Sequence, residues 1–141
     1  MNAKSGGRFK AFSAGSHPKG EIHPLTLEML QAVRLDTAGL RSKSWDEFAQ
    51  IGAPPMQFVI TVCDSAAGEV CPVWPGQPIT AHWGFPDPAA HEGTEAVRRA
   101  FFREVFRQIR NRVDLLLTVP LARLDRLAIK REVDEIGRAH A

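Results

Sequence analysis

The chain has 141 residues, and its 18 lysines and arginines nearly balance 16 aspartates and glutamates, for a formal net charge of +2. That balance does not indicate a nucleic-acid surface, and no apolar run approaches the roughly 20 residues that span a bilayer. The first ten residues hold no hydrophobic block, so we expect no secretory leader. We therefore expect one cytoplasmic domain in which the two cysteines are more suited to redox, catalytic or metal chemistry than to a structural cross-link.

The first half of the chain predicts a short strand and two helices. Residues 2–7 resemble the last turn of a helix with a glycine stop. Residues 8–14 alternate apolar and polar side chains, which predicts a strand. Residues 23–34 begin with His-Pro and continue at helical spacing, since proline fits the first turn of a helix. Ser44 with Glu47 three residues later is typical of a capping box.

Residues 57–62 predict a buried strand, because Phe58, Val59, Ile60 and Val62 place apolar side chains on both of its faces. Such strands usually belong to parallel sheets covered by helices, and reactive groups lie just beyond their carboxyl ends. Cys63 occupies that position, and the small residues 65–68 after it form a loop that bends easily. Residues 79–83 predict a further short strand.

The last third of the chain predicts two helices. Thr94 caps the first, which runs to about residue 113 with Val97 and Ile109 on its inner side. The second covers residues 121–136 and buries Leu127. We expect residues 114–141 to be a C-terminal helical extension of a single domain covering residues 1–141. The arginines of the first helix are predicted for the most part to face water: Arg98, Arg99, Arg103, Arg107, Arg110 and Arg112.

Cys63 and Cys71 bound a nine-residue segment. A disulfide that closes so small a loop stabilises a fold by only about 2–3 kcal/mol, so a redox switch is a better explanation for a bond here than a structural cross-link. Two unrelated buried thiols are an equal alternative. A zinc site is disfavoured because no second cysteine pair exists and the histidines lie in separate elements without ligand spacing: His17, His23, His82, His91 and His140.

Asp87 stands between two prolines, beside Phe85 and Trp83. A stiff, partly apolar setting raises the pKa of a carboxyl group and suits a general acid. Aspartate before proline is also common in turns for local reasons, and on the local sequence the turn role is favoured.

Three segments taken together resemble the thioredoxin-coupled arsenate reductases, which have the low-molecular-weight protein tyrosine phosphatase fold. They are Ser13-Ala14-Gly15; Thr61-Val62-Cys63-Asp64 with Cys71-Pro72 and Pro75-Gly76; and Phe85-Pro86-Asp87-Pro88. The resemblance implies an α/β fold of three layers, with a small parallel sheet flanked by helices. It implies no cofactor or metal, and no nucleic-acid or membrane partner. Arsenate is the implied substrate, and thioredoxin or another thiol is the implied reductant.

The resemblance also implies a relay of three thiols. A first cysteine, in a loop with arginine six positions later, attacks arsenic while an acid protonates the departing oxygen. The acid matches Asp87. A second thiol, matching Cys63, attacks the first, and a third, matching Cys71, passes the disulfide to the reductant.

The sequence departs from this family at its start, because it contains no Cys-x-x-x-x-x-Arg; positions 69 and 77 are glutamate and glutamine. We expect the first strand, the first helix and the phosphate-binding loop to be missing, as in a truncated product or a start assigned too late. The chain as given is then inactive. The strands on either side of the missing one are expected to pair directly, to leave a groove, or to accept a strand from another chain.

Two other functions stay open on the sequence. One is a phosphatase that acts on phosphotyrosine or small phosphoesters, which needs the same missing loop. The other is a non-catalytic module that binds a partner or senses redox state through its two cysteines.

Overall fold

A computed structural model of the chain describes residues 1–63 and 74–138. Within these ranges lie a parallel two-stranded sheet, three α-helices and three short 3-10 turns. The strands are β1 (Phe58–Thr61) and β2 (Ile79–His82), the helices are α1 (Pro24–Ala32), α2 (Glu95–Thr118) and α3 (Arg126–Arg138), and the 3-10 turns cover Trp45–Ala49, Pro88–Ala90 and Leu121–Arg123.

The two strands lie side by side in parallel, with Phe58 opposite Ile79 and Thr61 opposite His82. Beyond the ladder, the amide of Trp83 donates to the carbonyl of Thr61 at 2.8 Å. The predicted parallel sheet with helices is therefore confirmed. The expectation that β1 is buried on both faces is wrong, because all four of its residues are only partly buried and Val62 is 49% exposed.

The core lies where α2 and α3 pack against β2. Val133 and Ile136 of α3 meet Ala81 and Leu116 there, and Val119 completes the cluster together with Trp83. The indole N–H of Trp83 donates to the carbonyl of Val133 at 3.0 Å, which satisfies a polar group that burial would otherwise leave unpaired. The C-terminal helix is thus an integral part of the core.

The helix starts follow the sequence signals. The ring of His23 accepts from the amide of Leu25 at 3.1 Å, and Pro24 is the first residue of α1. The hydroxyl of Thr94 accepts from the amide of Val97 at 3.2 Å at the start of α2. This helix is five residues longer than predicted, and it ends at Thr118 before Pro120.

Two other local expectations are wrong. Ser44 accepts from the amide of Asp46, and Glu47 forms an ion pair with Arg41 at 2.6 Å, so the capping box does not form. The stretch 8–14 is not a strand, since its only neighbouring bridge joins Gly15 to Ser44. The side chain of Asn2 instead bonds both backbone groups of Ala11, at 2.7 and 3.0 Å. An extended segment needs a neighbouring strand to form a ladder, and this one has none.

Some side chains that were predicted to face inward are exposed. They are Val97 (46%), Ile109 (38%) and Leu127 (76%). The predicted single helix divides between the 3-10 turn at Leu121–Arg123 and α3, and Leu127 lies in the first turn of α3, just after this break. No helix in the described ranges has the length and apolar character needed to cross a membrane.

A gap separates β1 from residues 8–14. Gln57 and Thr61 bond β2 through their carbonyls, so the alternating backbone groups of Phe58 and Ile60 point the other way, into this gap. Cavities of about 420 and 450 Å³ lie along it, each lined by residues of both segments. Of the three outcomes expected for the sheet, a groove is therefore the one observed, and strand exchange stays a prediction.

Candidate functional site

The carboxyl ends of β1 and β2 place a thiol and a carboxylate on one groove. Cys63 follows β1 by two residues, and Asp87 follows β2 by five. The segment after β2 stays beside the end of β1, because the amide of Phe85 donates to the carbonyl of Val62 at 3.0 Å. The parallel sheet therefore brings Cys63 and Asp87, 24 positions apart, to the wall of the same cavity of about 420 Å³. We call this cavity, which the Ser13-Ala14-Gly15 segment also lines, the thiol groove.

Aromatic pairs form much of the opposite wall of the thiol groove. Trp45 and Trp74 meet edge to face with ring centroids 5.8 Å apart, and Phe12 packs on Phe48 at 5.3 Å. Aromatic rings prefer offset or edge-to-face contacts of this kind, and these contacts stabilise the wall of the groove. The groove thus joins an apolar wall to a polar end.

Cys63 is partly buried in the thiol groove. Its position at the mouth of the sheet agrees with the sequence prediction, while its role in a relay stays a prediction. Cys71 lies outside the described residues, so the pairing of the two thiols stays a prediction as well.

Asp87 is exposed, which corrects the expectation of a partly apolar setting. Its carboxylate accepts from the amide of Ala89 at 2.9 Å and so caps the 3-10 turn at Pro88–Ala90. The local turn role that the sequence favoured is therefore present. The same side chain also borders the thiol groove, so the turn fixes a carboxylate there without burying it.

His82 pairs with a neighbour at the end of the sheet, a contact that the local sequence does not predict. Its ring nitrogen Nδ1 lies 2.8 Å from the hydroxyl of Thr61. The two residues are opposite each other in the register of β1 and β2, and Thr61 precedes Cys63 by two residues. Once both strands are assigned, their register alone predicts that Thr61 and His82 are neighbours. Within residues 1–63 and 74–138, no three side chains are grouped to hold a metal ion.

Arg112 is the residue whose prediction changes most. It was placed with the water-facing arginines of α2, but it is only 8% exposed. Its Nη1 donates to the carbonyl of Gly84 at 2.9 Å, and its guanidinium carbon lies 4.4 Å from the ring centroid of Phe85. Burial lowers the pKa of Arg112 because the charged form loses hydration. A helical pattern crowded with arginines gives no signal that distinguishes this one.

The charges around the thiol groove are few. Among its described lining residues, Lys19 carries the fixed positive charge and Asp87 the negative one. An oxyanion normally needs several converging N–H donors or a guanidinium fork. The described lining therefore suits a thiol exchange with a nearby acid better than it suits tight anion binding.

Comparison with known proteins agrees with the geometry. Residues 2–132 match the family described as low molecular weight phosphotyrosine protein phosphatase. The chain is 34% identical over 108 residues to an arsenate reductase of Bacillus subtilis, which covers 77% of this chain and 74% of the relative. An arsenate reductase of Halalkalibacterium halodurans is 32% identical with the same coverage. One from Shouchella clausii is 43% identical over 105 residues, or 74% of this chain and 72% of the relative.

Proposed function

The chain belongs to the low molecular weight phosphotyrosine protein phosphatase family, and from that premise we propose that it takes part in the reduction of arsenate to arsenite through a thiol–disulfide relay. The observation that carries the proposal is the thiol groove, whose wall holds both Cys63 and Asp87. The identity to proteins named arsenate reductase supports this choice within the family.

The reaction balances with two thiols. Arsenic acid and two thiols yield arsenous acid, one disulfide and one water, so two electrons pass from sulfur to arsenic. A nucleophilic thiolate first forms a sulfur–arsenic bond, and an acid protonates the oxygen that leaves as water. Asp87 is the proposed acid. A second thiol then attacks the first sulfur, breaks the sulfur–arsenic bond and releases arsenite.

Cys63 is the proposed second thiol and Cys71 the proposed third. Attack of Cys71 on the disulfide at Cys63 frees the first sulfur and leaves a bond between Cys63 and Cys71. An external dithiol such as thioredoxin, or another thiol reductant, then reduces that bond. We place this chemistry in the cytoplasm, where thiols are kept reduced.

The first thiol has no counterpart in these 141 residues, because the two cysteines are already assigned to the second and third steps of the proposed relay. The decisive experiment therefore extends the chain at Met1 with a strand and a loop that contains Cys-x-x-x-x-x-Arg. We expect the extended protein to reduce arsenate with thioredoxin, its reductase and NADPH. The added segment is also expected to fill the gap beside the free edge of β1.

Three variants of the extended protein serve as controls. Cys63→Ser and Cys71→Ser should each abolish thioredoxin-dependent turnover, as should serine in place of the added cysteine. If the extended protein folds but reduces no arsenate, or if turnover is the same with Cys63→Ser and Cys71→Ser, the proposal is wrong.

A phosphatase is the second candidate, because the matching family is described by that activity. It requires the added loop but not the relay thiols. Hydrolysis of a phosphotyrosine analogue that persists in Cys63→Ser and Cys71→Ser, without arsenate reduction, would favour the phosphatase.

The chain without any extension allows a simpler test of the relay. After mild oxidation, mass spectrometry should show a loss of two hydrogens that a dithiol reverses. The loss should be absent from Cys63→Ser. Two thiols that stay reduced under these conditions would exclude both the relay and a redox-sensing module.

A further inference from the structure

Arg112 of α2 is an almost completely buried cation, and burial removes the hydration of its charge. Among the described residues, it and Ser5 are the buried polar or charged side chains, and more than nine tenths of Arg112 is shielded from solvent. An aliphatic side chain of similar length could fill such a site without losing the hydration of a charge. The presence of a guanidinium therefore calls for an account beyond packing.

Two contacts of Arg112 fall on one short segment, residues 84–85. Its Nη1 donates a hydrogen bond to the carbonyl of Gly84 at 2.9 Å. Its guanidinium carbon lies 4.4 Å from the ring centroid of Phe85. A guanidinium can make both contacts at once because it is flat and carries donors at its rim. Both the backbone and the side chain of this segment are thus held from α2.

The segment of residues 84–85 connects the surroundings of Cys63 and Asp87 in the thiol groove. On one side, the amide of Phe85 donates to the carbonyl of Val62, the residue before Cys63. On the other, Phe85 leads through Pro86 to Asp87, whose carboxylate accepts from the amide of Ala89. Proline restricts the backbone on either side of Asp87, so a fixed Phe85 fixes the carboxylate as well.

We propose that Arg112 is a positioning residue, which holds residues 84–88 so that the carboxylate of Asp87 stays at the thiol groove beside the end of β1. It acts through Gly84 and Phe85 and does not itself line the groove. The assignment of Asp87 as the acid rests on the proposed function, whereas the placement of the loop does not.

Hydrogen exchange in the full 141-residue chain tests the placement. In Arg112→Met, we expect the amides of Phe85 and Ala89 to exchange at least about tenfold faster, since each reports a hydrogen bond that depends on the loop. The amide of Ile79, which bonds the carbonyl of Gln57 at the other end of the sheet, should keep its rate. Arg112→Lys, which keeps a donor but not the planar group, should fall in between.

Arg110→Met is the matched control. It removes the same charge from the same helix, and its guanidinium also lies near a ring, 5.8 Å from the centroid of Phe106. Arg110 is exposed and touches no part of the loop, so exchange at Phe85 and Ala89 should not change. Unchanged exchange at these amides in Arg112→Met, or an equal acceleration at all amides, would overturn the proposal. If Arg112→Met does not fold, the same comparison is made with Arg112→Lys.

Kinetics of the extended protein separate positioning from a general loss of stability. Arg112→Met should lower kcat at least about tenfold with little change in KM, because the acid acts in the transition state. In an Asp87→Asn background the same change should have no further effect on kcat. An effect of full size in that background contradicts the proposal. If the extended protein is inactive even without substitutions, the proposed function fails, and the exchange data alone decide the placement.

Discussion

The two edges of β1 meet very different surroundings. On one edge β2 pairs with it in parallel, and α3 covers β2 so that Trp83, Leu116 and Val133 are almost completely buried. On the other edge residues 8–14 lie across a gap, and Phe12 is 43% exposed. We call these the packed side and the groove side.

The difference shows that a segment with a strand-like sequence forms a strand only where a neighbouring strand can pair with its backbone groups. Residues 8–14 alternate as a strand should, yet their backbone bonds go to Ser5 and to the side chain of Asn2, and the adjacent bridge at Gly15 is an isolated one. Residues 79–82 form β2, because β1 provides the partner groups of the ladder. Pairing, not local pattern, decided between the two segments.

The largest expected effect is the loss of a core side chain on the packed side. Leu116 is 1% exposed, so Leu116→Ala should lower the free energy of unfolding by between about 2 and 5 kcal/mol, through lost burial and the cavity that remains. Denaturant unfolding measures the change. Phe12→Ala on the groove side should cost about 1 kcal/mol, since much of its ring is already in water. Equal costs at the two positions would remove the distinction between the sides.

Two glycines sharpen the same contrast. A Cβ at Gly137 of α3 would lie 2.6 Å from the carbonyl oxygen of His82 and 2.8 Å from Trp83, so α3 would have to move off β2. Gly137→Ala should therefore destabilise the fold by about 1–3 kcal/mol, although alanine is the better helix former. At Gly15 the nearest atom is 3.9 Å away, and Gly15→Ala should be nearly neutral by thermal or denaturant unfolding. A stabilising Gly137→Ala would show that the packed side is looser than described.

Trp83 makes a buried hydrogen bond through its indole, whereas Trp45 makes none within the described residues. Trp83→Phe removes the buried hydrogen bond from the indole to the carbonyl of Val133 together with part of the packing of the ring, and should cost about 1–3 kcal/mol. Trp45→Phe on the groove side removes an indole that makes no hydrogen bond within the described residues, and should cost clearly less. Unfolding in urea with both variants tests the order, and the reverse order would contradict it.

The smallest effect concerns an ion pair of α2 outside both regions. The hydrogen bond from Arg107 lowers the pKa of Glu104 to about 2, with a further bond from Gln108. Since the pKa in the folded state lies below the usual 4.5, this contribution to stability is present above that pH and disappears as the pH falls to about 2. The stability difference between the parent and Glu104→Gln should therefore shrink over that range, and salt should weaken it further. A difference that stays constant down to pH 2 would contradict this origin.

Much of the site's placement was predictable from local chemistry. An apolar run that ends at Cys63 predicted a parallel strand with the thiol beyond its carboxyl end, and β1 is that strand. Pro24 and Thr94 marked helix starts because their effects on the first turn are local. Asp87 in an Asp-Pro context predicted a turn, and its carboxylate caps one.

The sequence by itself determined those elements whose causes lie within a few residues, which are the helix starts at Pro24 and Thr94 and the turn at Asp87. Only the tertiary structure decided that Arg112 is buried against Gly84 and Phe85 while its neighbour Arg110 faces water. It also decided that residues 8–14 form no strand and that a groove opens beside β1. These outcomes depend on what lies opposite a residue in space, and a one-dimensional pattern does not contain that information.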